Sequence, residues 1–340
     1  MNSESLFSMR ELPRGTKKLP RVVRDSSQRH GAEIREKSRV PALPPQGRIA
    51  LLVLALFLFV ASASAREKAY VVSAGITGDG IFGTLDINTG AFQQIGPVEP
   101  DGYFGLALGP HDSLLTLTYA GNLVSVNPRN GVRTEIGATG LDACVIPSSS
   151  CGPTSVFDIG SFDGRVYATD FANSIYAVNA RTGAATQLAE FSGIPPSPFV
   201  LGSQNADGTL NFADEAIWES RGRLYTTYDA FIFDPTSGSV VSIVVPPDLY
   251  EIDPRNGRAT TICATTLGIG AVVDVLGTNY AFDDLTGQIL KLDLATGNTT
   301  TVGSFSSTGG VIQGAAWFPG NPFERPNGPP QRRRVVPRMQ

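Results

Sequence analysis

Histidine is almost missing from this 340-residue chain, which has two, and cysteine, methionine and tryptophan number only three, three and two. His30 lies in a basic N-terminal stretch, so His111 is the single imidazole of the body. One histidine and scattered thiols exclude a zinc or copper centre built from imidazole and thiolate. A serine triad would have to use His111, which sits in a Gly-Pro-His-Asp turn, and no Gly-x-Ser-x-Gly elbow accompanies it. A Gly-x-x-x-x-Gly-Lys phosphate loop is also missing. The glycine-rich stretch Gly75–Gly83 lies between strand-like segments and opens no helix, so it reads as a hairpin loop.

Helical periodicity is the next absence. No window of about 12 residues in 66–320 repeats its apolar positions every three to four residues. Basic charge is scarce there too. Residues 66–320 carry 25 acidic and 11 basic groups, about −14 net, against −4 for the whole chain. An acidic body lacks the basic face that a phosphate backbone requires, which excludes nucleic acid as the main partner.

The ends differ from the body. Residues 1–48 are polar and basic, 49–61 (IALLVLALFLFVA) form one apolar run, and Ala63 and Ala65 follow with small-x-small spacing. This is the layout of a secretory signal cleaved after Ala65. The run falls short of the roughly 20 residues that span a bilayer comfortably, so no stable membrane span is expected after processing. The reading places the mature chain in the periplasm or outside the cell, and the alternative is an anchor that retains 49–61. Residues 321–340, rich in Pro and Arg without an apolar period, read as a disordered tail. The expected organisation is therefore 1–65 flank and signal, 66–320 folded body, 321–340 tail. In an exported protein, Cys144 and Cys151 can close the loop ACVIPSSSCG as a disulfide. The alternative is three free thiols, with Cys263 a buried small hydrophobe in TTICAT.

One turn is abundant. It occurs as Asp86–Gly90, Asn127–Gly131, Asn179–Gly183, Asp234–Gly238, Asp253–Gly257 and Asp293–Gly297, each copy opening on Asp or Asn and closing on Gly. The first side chain accepts a backbone N–H two residues on. Pro, where present, presets the next φ, and Gly takes the left-handed conformation that re-enters a second strand. Alternating segments such as NLVSVN and DLYEID precede the turn, and Thr-rich ones such as RATTIC and NTTTVG follow it. Most copies are preceded by a further strand pair, as in 104–137. Four short antiparallel strands in about 40 residues make one propeller blade.

Gly90, Gly131, Gly183, Gly257 and Gly297 close one turn per blade, and the copy ending at Gly238 reads as a hairpin inserted in the fourth blade. Residues 69–97 supply three strands of a first blade, and IQGAAWFP at 312–319 supplies the missing innermost one. The fold class is all-β: a five-bladed propeller closed by its C-terminal strand, with six blades if the insertions hide a degenerate unit.

The repeats resemble those of secreted bacterial propellers that run strand-Asp-Pro-x-Thr-Gly-strand, which are similar in turn to YVTN-type and quinone-type propellers. Quinone-type repeats place a Trp shortly after Thr-Gly. Gln93, Glu135, Gln187 and Thr301 stand there instead, and Trp218 and Trp317 fall at innermost strands. A quinone is therefore not expected.

Carboxylates are the plentiful reactive groups. Asp158, Asp214, Glu215, Glu219 and Asp274, with Trp218, fall on or beside strands that would line a central channel. Converging carboxylates suit a hard cation such as calcium; no other cofactor is expected. Two functions follow. One is an exported, non-catalytic binding or scaffold propeller that recognises a protein, glycan or small molecule through loops 141–155, 191–212 and 231–247. The other is a metal-assisted hydrolase or lyase working through the channel carboxylates.

Overall fold

The structure, a computed structural model, describes residues 68–75, 79–142, 155–195, 203–305 and 310–317. The proposed signal segment, the Cys144–Cys151 pair and the 321–340 tail lie outside them.

The described residues form five four-stranded antiparallel sheets, one per blade. Blade 2 contains β4 (Tyr103–Leu108), β5 (Leu114–Thr118), β6 (Asn122–Val126) and β7 (Arg133–Ala138). Blade 3 contains β8 (Val156–Phe162), β9 (Arg165–Asp170), β10 (Ser174–Val178) and β11 (Ala185–Glu190). Blade 4 contains β12 (Leu210–Ser220), β13 (Arg223–Asp234), β14 (Ser239–Asp253) and β15 (Arg258–Ala264). Blade 5 contains β16 (Ile269–Val275), β17 (Thr278–Asp283), β18 (Gln288–Leu292) and β19 (Thr299–Ser304).

Blade 1 joins the two ends of the ring. Its outer strands β1 (Lys68–Gly75), β2 (Gly80–Asp86) and β3 (Phe92–Gln94) come from the start of the body, and its inner strand β20 (Gly310–Ala316) comes from the end. Tyr70 lies opposite Ala316 and Val72 opposite Gly314. The inner strands β20, β4, β8, β12 and β16 touch in that order and return to β20, so the ring is closed and no inner edge is left open to another chain. The blades number five, and the six-blade alternative falls.

Burial follows the strand order. The middle strands are buried along their length, as in Leu114–Thr118 and in Val166 to Asp170, with Thr116, Thr118, Thr169 and Asp170 buried among the apolar side chains. Tyr70, Tyr103, Tyr228, Tyr250, Phe82 and Phe282 fill the space between blades. The outer strands β7, β11 and β19 are largely solvated, and β19 is Thr-rich. Cys263, expected to be buried, is half-exposed because β15 is also an outer strand.

The repeated turns have the expected local geometry. Asn127 Oδ1 accepts the Arg129 N–H at 2.9 Å, and Gly131 N donates to the Asn127 carbonyl at 2.8 Å with φ 68°. Each closing glycine also meets the previous blade. A Cβ on Gly131 would lie 2.0 Å from the carbonyl oxygen of Ile95, and one on Gly257 2.5 Å from the Ala189 Cβ. Gly183 meets Gly137, Gly297 meets Ala264, and Gly90 meets Ser304, which completes a circuit around the outer rim.

Gly238 stands apart, with nothing within 4 Å of the same position. Its turn joins β13 to β14, so the 231–247 segment is not a separate hairpin laid beside the blade. It is a lengthwise extension of the blade's middle pair, and β12 adds a third strand from Leu210. β15 pairs with β14 from Asp248 onward, and Thr265 just past it donates to the Pro247 carbonyl, leaving residues 239–246 as a free edge. Val241 and Val244 are bulged out of that edge, since Phe233 and Ile232 face Val240 and Ser242, and Phe231 and Ala230 face Ile243 and Val245.

Candidate functional site: the axial cavity and the carboxylates around it

The inner strand of each blade has one side in the sheet and one side towards the axis. Its axis-facing N–H groups need acceptors, because a buried unpaired donor costs about 1–3 kcal/mol. Three buried carboxylates supply them from the neighbouring blade. Asp158 on β8 accepts the Ile217 N–H of β12 at 2.7 Å. Asp229 on β13 accepts the Gly268 N–H just before β16 at 2.9 Å. Asp284, just after β17, accepts the Ile312 N–H of β20 at 3.0 Å. These acids join blades 3 to 4, 4 to 5 and 5 to 1.

Alternation along β12 sorts the remaining acids. Asp214, Trp218 and Ser220 face blade 5, and Glu215 and Glu219 face blade 3. Glu215 accepts from Thr226 and is driven well above the usual carboxylate range by burial, with the nearby Asp158 adding to it. Asp214 lies directly across from Asp229 in the strand pairing. Burial, then repulsion from Asp283, pushes the Asp214 carboxyl up to about 7. Burial and the charge of Asp214 raise Asp229 and Asp284 in the same direction. One oxygen of each, Asp229 Oδ1 and Asp284 Oδ2, is buried with no hydrogen-bond partner. As placed, no three Asp, Glu, His or Cys side chains among the described residues are arranged to hold a metal ion.

The six residues read from the sequence as one channel group therefore separate. Asp158, Asp214 and Glu215 are buried between blades. Trp218, Glu219 and Asp274 come together at one end of the axis, where they line a cavity of about 500 Å³. Its walls include Leu106, Leu108, Val272, Ala315 and Trp317, and Arg221 lies at the mouth. Trp218 stacks on Tyr225 with ring centroids 5.8 Å apart and donates its indole N–H to Asn279 at 2.9 Å. Asp274 accepts from the Ser220 hydroxyl and from the Gly277 N–H at 2.6 Å. Glu219 Oε2 accepts the Asp163 N–H at 3.2 Å. Arg221 donates to the Gly277 carbonyl at 2.9 Å, and no ion pair joins it to Glu219 or Asp274.

Three two-residue turns rim this end: Asp163-Gly164, Arg221-Gly222 and Leu276-Gly277, with both residues of each at positive φ. Asp is common in that first position, whereas a bulky apolar side chain is not. Leu276 nevertheless holds φ 54° and is 67% exposed. His111, also at positive φ, is exposed in the short 3-10 turn Pro110–Asp112 of blade 2 and does not line the cavity. Sequence reasoning did not single out Arg221, Leu276, Asp229 or Asp284. For Leu276 a signal existed: an apolar residue before Gly in a two-residue hairpin turn.

No family model matches the chain, and no curated protein matches it in sequence. Solved structures give distant likenesses. A chain of a nidogen–laminin complex is 15% identical, with 73% of this chain and 97% of that one covered and a TM-score of 0.42. A quinone-bound aldose sugar dehydrogenase from Streptomyces coelicolor is 12% identical, covering 63% of this chain and 84% of that one, with a TM-score of 0.35. The glutaminyl cyclase of Myxococcus xanthus is 13% identical, covering 63% and 69%, with a TM-score of 0.30. All three scores are low, and the propeller assignment rests on the chain's own five sheets.

Proposed function

We propose that this chain is an exported, non-catalytic binding propeller. Its recognition surface is the axial cavity and its rim, with the elongated hairpin of blade 4 as a second exposed element. The observation that carries this reading is how the carboxylates are used. Asp158, Asp229 and Asp284 are spent on backbone N–H groups of the next blade, and Asp274 is spent on Ser220 and Gly277. What is left at the cavity is a pocket of mixed apolar and polar lining, concave and with a few placed polar groups, as small-ligand sites have.

The competing reading, a calcium-assisted hydrolase or lyase, makes a different demand. Purified protein would retain calcium on elemental analysis and turn over lactone, ester or polyuronate substrates. Glu219→Gln and Asp274→Asn would abolish that turnover. The binding reading expects no turnover from wild type on these panels. Activity lost in either variant overturns it.

A further inference from the structure

We propose that the axial cavity binds an organic cation, an ammonium or guanidinium group carried on an apolar stem, with Glu219 as its counter-charge. This rests on the binding reading above and names its ligand class.

The argument begins with what Glu219 lacks. Its side chain is solvent-exposed at the cavity, and the charges nearest it are Asp163 and Asp274, both negative. Its hydrogen bond, from the Asp163 backbone N–H, engages Oε2. Arg221 is two residues away in the chain but points its guanidinium to the Gly277 carbonyl. A ligand that covers this carboxylate withdraws it from water, which is costly unless a cation comes with it. An anionic ligand would worsen the mismatch, and a neutral one would remove water from Glu219 without replacing it. A cation resolves it.

The walls fit the same class. Trp218 and Trp317 line the cavity, and aromatic faces attract ammonium and guanidinium groups within about 6 Å, the more so when water is excluded. Leu106, Leu108, Val272 and Ala315 provide the apolar surface that a hydrocarbon stem would cover. Leu276 adds an independent observation. A strained, exposed apolar residue at the rim has no role in the blade core, and outliers of this kind collect at binding sites. Its turn partner Gly277 lines the cavity, so residues flanking a Lys or Arg of a bound polypeptide would pass near it.

Two sources share this chemistry: a free amine and a basic side chain of a polypeptide. Calorimetric titration of the full chain separates them. One arm uses n-butylammonium and n-butylguanidinium, with 1-pentanol and pentanoate as neutral and anionic counterparts. The other uses a blocked Leu-Lys-Leu tripeptide and its norleucine analogue. Cations bind and their counterparts do not; affinity drops about tenfold in Glu219→Gln, with its melting temperature unchanged, and in Trp317→Leu. Leu276→Asn relieves backbone strain, so it melts higher, and it weakens the tripeptide selectively if the source is a polypeptide. Equal binding of the tripeptide and its norleucine analogue, or no binding by any cation, overturns the proposal. If pentanol or pentanoate binds instead and Trp317→Leu abolishes it, the cation assignment falls while the binding reading stands.

Discussion

Gly131 of blade 2 presses so closely on the Ile95 carbonyl of blade 1 that a single added carbon would sit 2.0 Å from its oxygen. Gly238 has the same sequence context and nearly the same φ, 66° against 68°, yet faces open space. The pair separates two costs. Gly238→Ala meets only left-handed strain, about 1–2 kcal/mol. Gly131→Ala adds a clash with neighbouring backbone and is expected to cost several kcal/mol in all. Equal drops in melting temperature for the two variants would contradict the rim contact.

Ring closure gives the second expectation. A chain ending at Gly310 loses nearly all of β20, including the fully buried Ile312 and the bond from its N–H to Asp284. Burial of one such side chain is worth about 1.5–3 kcal/mol, and typical stability is only about 5–15 kcal/mol. That chain should unfold or aggregate. A chain ending at Pro322 keeps every described strand and should melt like the full chain. Soluble, cooperatively melting protein from the shorter version would break the closed-ring account.

The Asp214 carboxyl, pushed up to about 7, sets a pH dependence. The folded state holds this proton more tightly than the unfolded chain, where an aspartate titrates near 3.8. Its contribution is therefore fully present below about pH 3.8 and is lost as pH rises through about 7. Asp229 and Asp284 act in the same direction. Asp214→Asn should melt higher than wild type at pH 8, by on the order of a few kcal/mol, and the two should converge near pH 4.5. Calcium that raises the wild-type melting temperature at pH 8, and not that of Asp214→Asn, would show a metal taking the place of the protons. A wild type that gains stability from pH 5 to 8 relative to the variant would refute the assignment.

Export makes a simple demand. Protein recovered from the culture medium or periplasm should begin near Arg66. Recovery of 49–65 in a membrane fraction would favour the anchored alternative.

Much of the fold could be read in advance because its units are local. A strand, an Asp or Asn turn and a second strand lie within about 20 residues, and Gly90 to Gly297 mark the blades in order. The site was harder, for a geometric reason. Alternation along β12 shows that Asp214 and Glu215 point to opposite faces, but not which neighbour each face meets. The acceptor for Ile217 N–H lies 59 residues away in Asp158, and that for Gly268 lies 39 away in Asp229. No short window contains both partners. So the five channel acids and Trp218 all lie on inner strands, yet Asp158, Asp214 and Glu215 belong to joints between blades rather than to a cavity. Asp229 lies midway along β13 and Asp284 just past β17, positions where an acidic residue has no special pattern.

The doubled bulge on the free edge of blade 4 has a bearing on life outside a folded context. Ser239 to Val245 is uncharged and rich in β-branched residues, the composition that seeds fibrils when its backbone is offered as a straight template. Here Val241 and Val244 each interrupt the ladder, so an arriving strand finds no uninterrupted run of donors and acceptors longer than a few residues. The tongue can thus present valine and isoleucine to its surroundings, as sticky side chains on a backbone that refuses to polymerise.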